Sequence, residues 1–441
     1  MSAVAIHDWA RLDAATRAQL LARPRAAQSP ALLADAKAII EAVRTEGDAA
    51  VRRFTARFDR VAPEQIANLR VATGEFAAAR AALAPGDIAA IERAIRHVEA
   101  FHVAQRLAPL TIETTRGVRC ERVVRPIASV GLYVPSGSAP LPSAVVMLAV
   151  PARLANCRQR VLCTAPGPDG RAAAAVLVAA ELCGIDTVFK VGGAQAIAAL
   201  AYGTESVPKV DKIFGPGNAW VTAAKQVVAA DPAGASLDLP AGPSEVLVVA
   251  DDGARADFVA SDLLAQAEHD PVAQSILVTD SATLAAATVA EIERQLPSLS
   301  RQAILAESVR AIRVIVVEDL ATALAVSNAY APEHLILQVR APRRWLDAVE
   351  SAGSVFLGPW SPEPIGDYCS GANHVLPTYG YARALSGLSL LDFEKRITVQ
   401  ELGEEGLGDL GPTAVTLARL EGLDAHAAAV ELRLAALGSP R

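Results

Sequence analysis

Aromatic residues are scarce. Phe, Trp and Tyr together make up 4% of the 441 residues, too few for the stacked-ring platforms that hold single-stranded nucleic acids. Excess positive charge is also missing. With 41 Lys and Arg against 48 Asp and Glu the formal net charge is −7, and no basic stripe offers the clustered cations that phosphate neutralisation requires. No nucleic-acid partner is expected. Long apolar runs are absent too: the longest, 144–152, carries Pro151 and falls far short of the ~20 residues of a membrane span. Asp8, Arg11 and Asp13 interrupt the first residues, so neither a signal-peptide core nor a membrane partner is expected. The five cysteines (Cys120, Cys157, Cys163, Cys183, Cys369) are odd in number and lack CxxC spacing, as expected of reduced, core-filling thiols in a cytoplasmic protein. Finally, no G-x-G-x-x-G follows an expected strand, so the standard dinucleotide fingerprint is lacking.

What is present is a hydrophobic, mixed chain. Apolar residues reach 52% and mean hydropathy is +0.29, enough for a large core and too much for a disordered chain. Apolar positions recur at helical spacing through 31–110: Leu32, Ala36, Ile39, Ile40 and Val43, then Ile88, Ile91, Ile95 and Val98. From Arg122 short β-rich runs (123–124, 129–134, 161–163, 187–191, 212–214) alternate with Ala-rich helical segments at 172–182 and 194–201. A second set follows, with strands at 245–250, 275–279, 314–318 and 335–339 and helices at 257–268, 283–294 and 321–329. Strands alternating with helices imply βαβ units, hence two parallel-sheet α/β modules. Residues 359–381, rich in Pro, Gly and Ser but containing Trp360, Tyr368, Tyr379 and Tyr381, read as a long ordered loop. A Gly-rich linker, GEEGLGDLGP, leads from Leu402 to a helical tail at 413–437 broken at Gly422.

Two glycine turns sit between an expected strand and helix: Gly215-Pro216-Gly217-Asn218, and Gly192-Gly193 before Gln195. Such turns let backbone N–H groups approach a phosphate at a helix start, and they serve equally as packing turns. Gln266 and His269 are three apart and share a helix face. With Asp367, His374 and His426 they form a pool of nitrogen and oxygen donors that suits zinc. Glu333 and His334 are adjacent, so both reach one pocket only on a turn, which Pro332 favours; an imidazole and a carboxylate there can accept protons from an alcohol and from water. Glu421 and His426 flank the break at Gly422 and converge only because of it. Cys163, with no neighbouring cation, reads as inert, and His7, His97 and His102 read as surface histidines.

The blocks GLYVPSGSAPLPSAVVMLAVPA, KVGGAQAIAALAYGTESVPKVDKIFGPGN, DLPAGPSEVLVVAD, LLAQAEHDP, YAPEHLIL, GSVFLGPWSPEPIGDYCSGANHVLPTYGYAR and FEKRITVQEL together resemble the histidinol dehydrogenase family from about residue 30 to the end. The resemblance implies oxidation of L-histidinol through an aldehyde to L-histidine, with one Zn2+ per subunit and two NAD consumed per substrate. It implies zinc ligation by Gln266, His269, Asp367 and His426, and catalysis by Glu333 and His334. Substrate contacts then fall on Ser244, His374, Glu421, His334 and the ligand residues, and cofactor contacts on Tyr133, Gln195 and Asn218. Ser136 stands in Val-Pro-Ser-Gly where the family commonly has glycine.

The expected architecture is therefore two Rossmann-like α/β modules with an atypical dinucleotide motif and a small helical C-terminal tail. Residues 1–30 would form an N-terminal helical arm. Residues 31–132 with 244–388 would form the domain carrying metal and catalytic residues, and 133–243 the cofactor domain. The extension 389–441 would enter the active site of the other subunit in a homodimer. A paralogous zinc/NAD dehydrogenase of another amino or sulfonate alcohol is the nearest alternative. A zinc hydrolase and a non-catalytic binding protein are the more distant ones.

Overall fold

The computed structural model describes residues 4–24, 29–136, 139–240 and 242–437. Among them, no helix is long and apolar enough to cross a membrane. Two parallel sheets dominate. The six-stranded sheet runs in the order Ala5–Asp8, Arg313–Val316, Gln274–Thr279, Glu245–Ala250, His334–Gln338, Ser354–Leu357, and the five-stranded sheet Val188–Lys190, Gln159–Thr164, Ser129–Val134, Lys212–Phe214, Ser236–Leu237. Every neighbouring pair in both is parallel. The strands Ser129–Val134, Glu245–Ala250 and Gln274–Thr279 are buried throughout, because helices cover both faces of a parallel sheet. Separate apolar clusters lie on the two faces of each sheet. The two α/β modules expected from the alternating runs are present.

Several local expectations are corrected. Residues 31–103, expected to belong with 244–388, pack on the five-stranded sheet instead. Ile39, Ile40 and Val43 of the helix Pro30–Glu46 share a core with Phe189, Val191 and Leu200, and the helix Pro85–Val103 lies along Pro142–Leu154. Helical spacing reveals a buried face but not which sheet receives it. The N-terminal arm is not purely helical, since Ala5–Asp8 adds an edge strand beside Arg313–Val316. The run at 123–124 belongs to Val118–Pro126, which pairs antiparallel with Leu110–Thr115 and with Glu394–Leu402 in a third sheet.

The segment read as a Gly-rich linker is the first half of a helix, Glu404–Leu420. Its G-x-G-x-x-G spacing at 406–411 is therefore helix interior and cradles nothing. Glycine serves close packing there, for a Cβ on Gly406 would lie 2.4 Å from the Gly117 carbonyl oxygen. The break at Gly422 is as expected, and Asp424–Leu437 folds back on Glu404–Leu420. The loop at 359–381 contains one short helix, Glu363–Tyr368.

Candidate active site

The two parallel sheets present opposite ends to the site. Tyr133 lies near the C-terminal end of its strand, and Gly192-Gly193 and Gly215 follow theirs, the usual ligand-binding edge of an open α/β sheet. Ser244, Glu333 and His334 instead stand where Glu245–Ala250 and His334–Gln338 begin. One cavity of about 1040 Å³ spans the gap, lined by Tyr133, Gln195 and Asn218 at one end and by Glu268, His269 and Tyr368 at the other.

At the glycine-turn end, Gly215 has φ +123°, and a Cβ there would lie 2.0 Å from the Tyr133 carbonyl oxygen, so only glycine lets the turn close against that strand. The Asn218 side chain accepts the N–H groups of Trp220 and Val221, so part of this helix start is already capped. Tyr133 Oη accepts the Gly193 N–H at 3.0 Å. Gln195 is 1% exposed, and neither its amide oxygen nor its amide nitrogen has a partner. Gly137 of the Val-Pro-Ser-Gly turn lies outside the described residues.

At the other end, ligand atoms of His269, Glu363 and Asp367 lie within 4.8 Å of one another. Gln266 is fully buried, with both amide atoms unpartnered, and so is Glu363 Oε2. Such orphaned polar atoms cost free energy unless something completes them. A nitrogen and two carboxylates around one point fit a zinc-like cation, and the unpartnered Gln266 amide, three residues before His269, offers a further oxygen donor.

Glu363 was not picked out from the sequence. The signal available was its spacing from Asp367, four residues apart on one helix face. His374 stands behind Asp367, its Nδ1–H donating to the Asp367 carbonyl at 2.8 Å. Ser244 is half-buried, and its carbonyl accepts the Gln274 N–H.

The pair Glu333–His334 is held by the main chain of one residue. The Glu245 N–H donates to Glu333 Oε2 at 2.8 Å, and His334 Nδ1–H donates to the Glu245 carbonyl at 3.0 Å. That bond commits Nδ1 as a donor and turns Nε2 toward Asp367, 3.5 Å from its Oδ1. Burial pushes the Glu333 carboxyl up to about 8, against the opposing pull of His334. Burial disfavours charge on His334, but Glu363, Glu333 and Asp367 outweigh it and hold the ring well above its ordinary value. Burial likewise raises Glu363 to about 7. Burial would raise Asp367 also, but its bond to His334 and three nearby imidazoles hold it below the usual carboxylate range. His269 is exposed where it lines the cavity, yet enough protein surrounds its ring to keep it below its ordinary value.

Glu421, in the turn that ends Glu404–Leu420, and His426, in the helix Asp424–Leu437, are exposed; neither lines the cavity nor joins the cluster within one chain. His102, expected at the surface, is fully buried, its Nδ1–H donating to the Val98 carbonyl.

The family model "Histidinol dehydrogenase" matches residues 22–434. A histidinol dehydrogenase from Xanthomonas euvesicatoria pv. vesicatoria (strain 85-10) is 54% identical over 429 residues, covering 97% of this chain and 99% of the relative. One from Escherichia coli (strain K12) is 52% identical over 437 residues, 99% of each chain. The crystal structure of histidinol dehydrogenase from Elizabethkingia anophelis superposes with a TM-score of 0.94 at 43% identity, covering 100% of both chains. By sequence along nearly its whole length and by fold, this chain belongs to the histidinol dehydrogenase family.

Proposed function

We propose that this protein oxidises L-histidinol through L-histidinaldehyde to L-histidine, the last step of histidine biosynthesis, with NAD as oxidant and zinc as the resident metal. The observation that carries the reading is a continuous cavity reaching from the glycine turns to His269, a member of the donor cluster whose Asp367 in turn faces His334. A hydride acceptor and a metal-held alcohol need that shared space. Overall, the alcohol and one water lose two hydrides and three protons to give the carboxylate.

Gln266, His269, Asp367 and Glu363 are the residues of one chain that would hold the zinc, whose contribution when bound is to orient the imidazole and amine of histidinol. NAD, when bound, supplies the hydride acceptor of each oxidation, along Tyr133, Gln195 and Asn218. The steps left to the protein are proton transfers. A cation held by Asp367 and Glu363 would cancel the charge that keeps His334 protonated, and Nε2, with Nδ1 committed to the Glu245 carbonyl, then takes the hydroxyl proton as the first hydride departs. Glu333, with its carboxyl near 8, takes a proton from the water that adds to the aldehyde. The hydrated aldehyde then gives up the second hydride. His374 and Ser244 flank the substrate. His426 and Glu421, exposed in one chain, complete the site of a second subunit in a homodimer.

The test is NADH formation by purified protein with L-histidinol, before and after chelation and zinc return. Two NADH per histidinol, lost on chelation and restored by zinc, is the expected result. NADH from another alcohol but not from histidinol would transfer the assignment to a paralogous dehydrogenase. No NADH from any alcohol would overturn it.

A further inference from the structure

Glu245 faces two ways. Its main chain grips Glu333 and His334, while its side chain, fully buried, points away from the cavity toward the N-terminal arm. There Arg23 meets it with both arms of the guanidinium: Nε lies 2.5 Å from Oε1 and Nη2 lies 2.8 Å from Oε2. The Tyr379 N–H supplies a third donor to Oε1 at 3.0 Å. The Arg23 side chain is only 12% exposed, and its guanidinium lies 3.8 Å over the Tyr330 ring.

The same guanidinium reaches a second element. Nη2 donates to the carbonyls of Tyr330, at 2.9 Å, and Ala331, at 3.3 Å. These close the helix Leu320–Tyr330, and Ala331 takes a left-handed φ of +55° before Pro332 and Glu333. An L-residue there is strained, so the turn needs outside support. The arm is itself tied down, since Tyr379 Oη donates to the Pro24 carbonyl at 2.8 Å and Arg313 Nη2 to the Ala22 carbonyl at 3.2 Å.

We propose that Arg23 is a positioning residue for the oxidation: it locks the Glu245 side chain and the 330–332 turn together, so that the Glu245 main chain presents Glu333 and His334 in reacting geometry. The inference rests on the roles given to those two residues above. Arg23 touches neither of them and acts entirely through Glu245 and the turn. Lysine at position 23 keeps one charge but cannot make the two-pronged contact and reach the turn carbonyls together.

Steady-state kinetics of the full-length, zinc-loaded protein with histidinol and NAD test it. In Arg23→Gln, kcat falls by about tenfold or more, the scale expected for a small misplacement of reacting groups. Both KM values stay within about threefold of wild type and bound zinc is unchanged. Arg23→Lys recovers part of the loss. If Arg23→Gln does not fold, as judged by circular dichroism, Arg23→Lys decides alone, through a lowered kcat at unchanged KM. A folded Arg23→Gln, or failing that Arg23→Lys, with kcat within twofold of wild type overturns the proposal. So does a kcat loss that only tracks lost zinc or risen KM. A wild-type protein that makes no NADH overturns the functional reading itself, a distinct outcome visible before any variant is made.

Discussion

Lys225 and Asp238 offer the sharpest stability test, because their ion pair is shut away from water and far simpler than the cluster around Glu333, His334 and Asp367. Their side chains are 2% and 1% exposed, with Nζ 2.6 Å from Oδ1. Both also clamp the Gly215 peptide: Nζ donates to its carbonyl at 2.8 Å, and Asp238 Oδ2 accepts its N–H at 2.7 Å. In Lys225→Met the carboxylate keeps one N–H and loses its counter-charge, and breaking a buried pair from one side costs about 3–5 kcal/mol. At about 2–4 °C per kcal/mol for a unit of 150–250 residues, the transition of the five-stranded-sheet module falls by about 6–20 °C in a calorimetric scan. Adding Asp238→Asn removes the stranded charge, so the double variant melts above Lys225→Met, with a coupling of about 1 kcal/mol or more. The loosened Gly215 turn also raises KM for NAD. Should Lys225→Met melt within 2 °C of wild type, the clamp is not what holds that turn.

Glu333→Gln should slow oxidation of supplied histidinaldehyde by about 10²–10⁴-fold and slow the alcohol step less. Equal losses in single-turnover measurements of the two steps would refute the division of labour. Asp59, whose Oδ2 lacks a partner, lines the cavity, and burial raises its carboxyl to about 6. The folded state therefore binds this proton more tightly than the unfolded one. The stability it contributes is present below about pH 4 and lost as pH rises through 6. Asp59→Asn should flatten the decline in melting temperature across that window, and an unchanged slope would refute the assignment. Burial pushes the thiols of Cys157 and Cys183 up to about 12 and raises Cys163 further. Native titration with a disulfide reagent should thus label only Cys120 and Cys369, the two that are not buried; labelling of all five without denaturant would refute this.

The parallel modules were legible because buried strands such as EVLVVA are short apolar runs set between helical spacings. The turn that brings Glu333 beside His334 was legible from Pro332. Long-range placement was not. Leu110–Thr115 and Glu394–Leu402 are nearly 300 positions apart and meet only through Val118–Pro126. The partnership of the helices at 30–103 depends on which sheet face they find. GEEGLGDLGP looks like a linker because glycine disfavours helices in isolation, whereas here close approach to Gly117 selects it. The support of Glu333 and His334 was invisible for a different reason: any residue but proline at 245 would offer the same main-chain N–H and carbonyl.

The opposed orientation of the two sheets also orders charge along the cavity. Helices that follow the five-stranded sheet's strands, Gly193–Tyr202 and Ala219–Ala229, begin at the cavity. Helices that precede the six-stranded sheet's strands, Ala256–Ala267 and Leu320–Tyr330, end beside Gln266 and just before Glu333. Each helix carries about half a positive charge at its start and half a negative charge at its end. Backbone dipoles alone thus make one end of the cavity receptive to anions and the other to cations, before any side chain is counted. A phosphate-bearing ligand and a cationic amine entering together would be sorted to opposite ends by the peptide groups themselves.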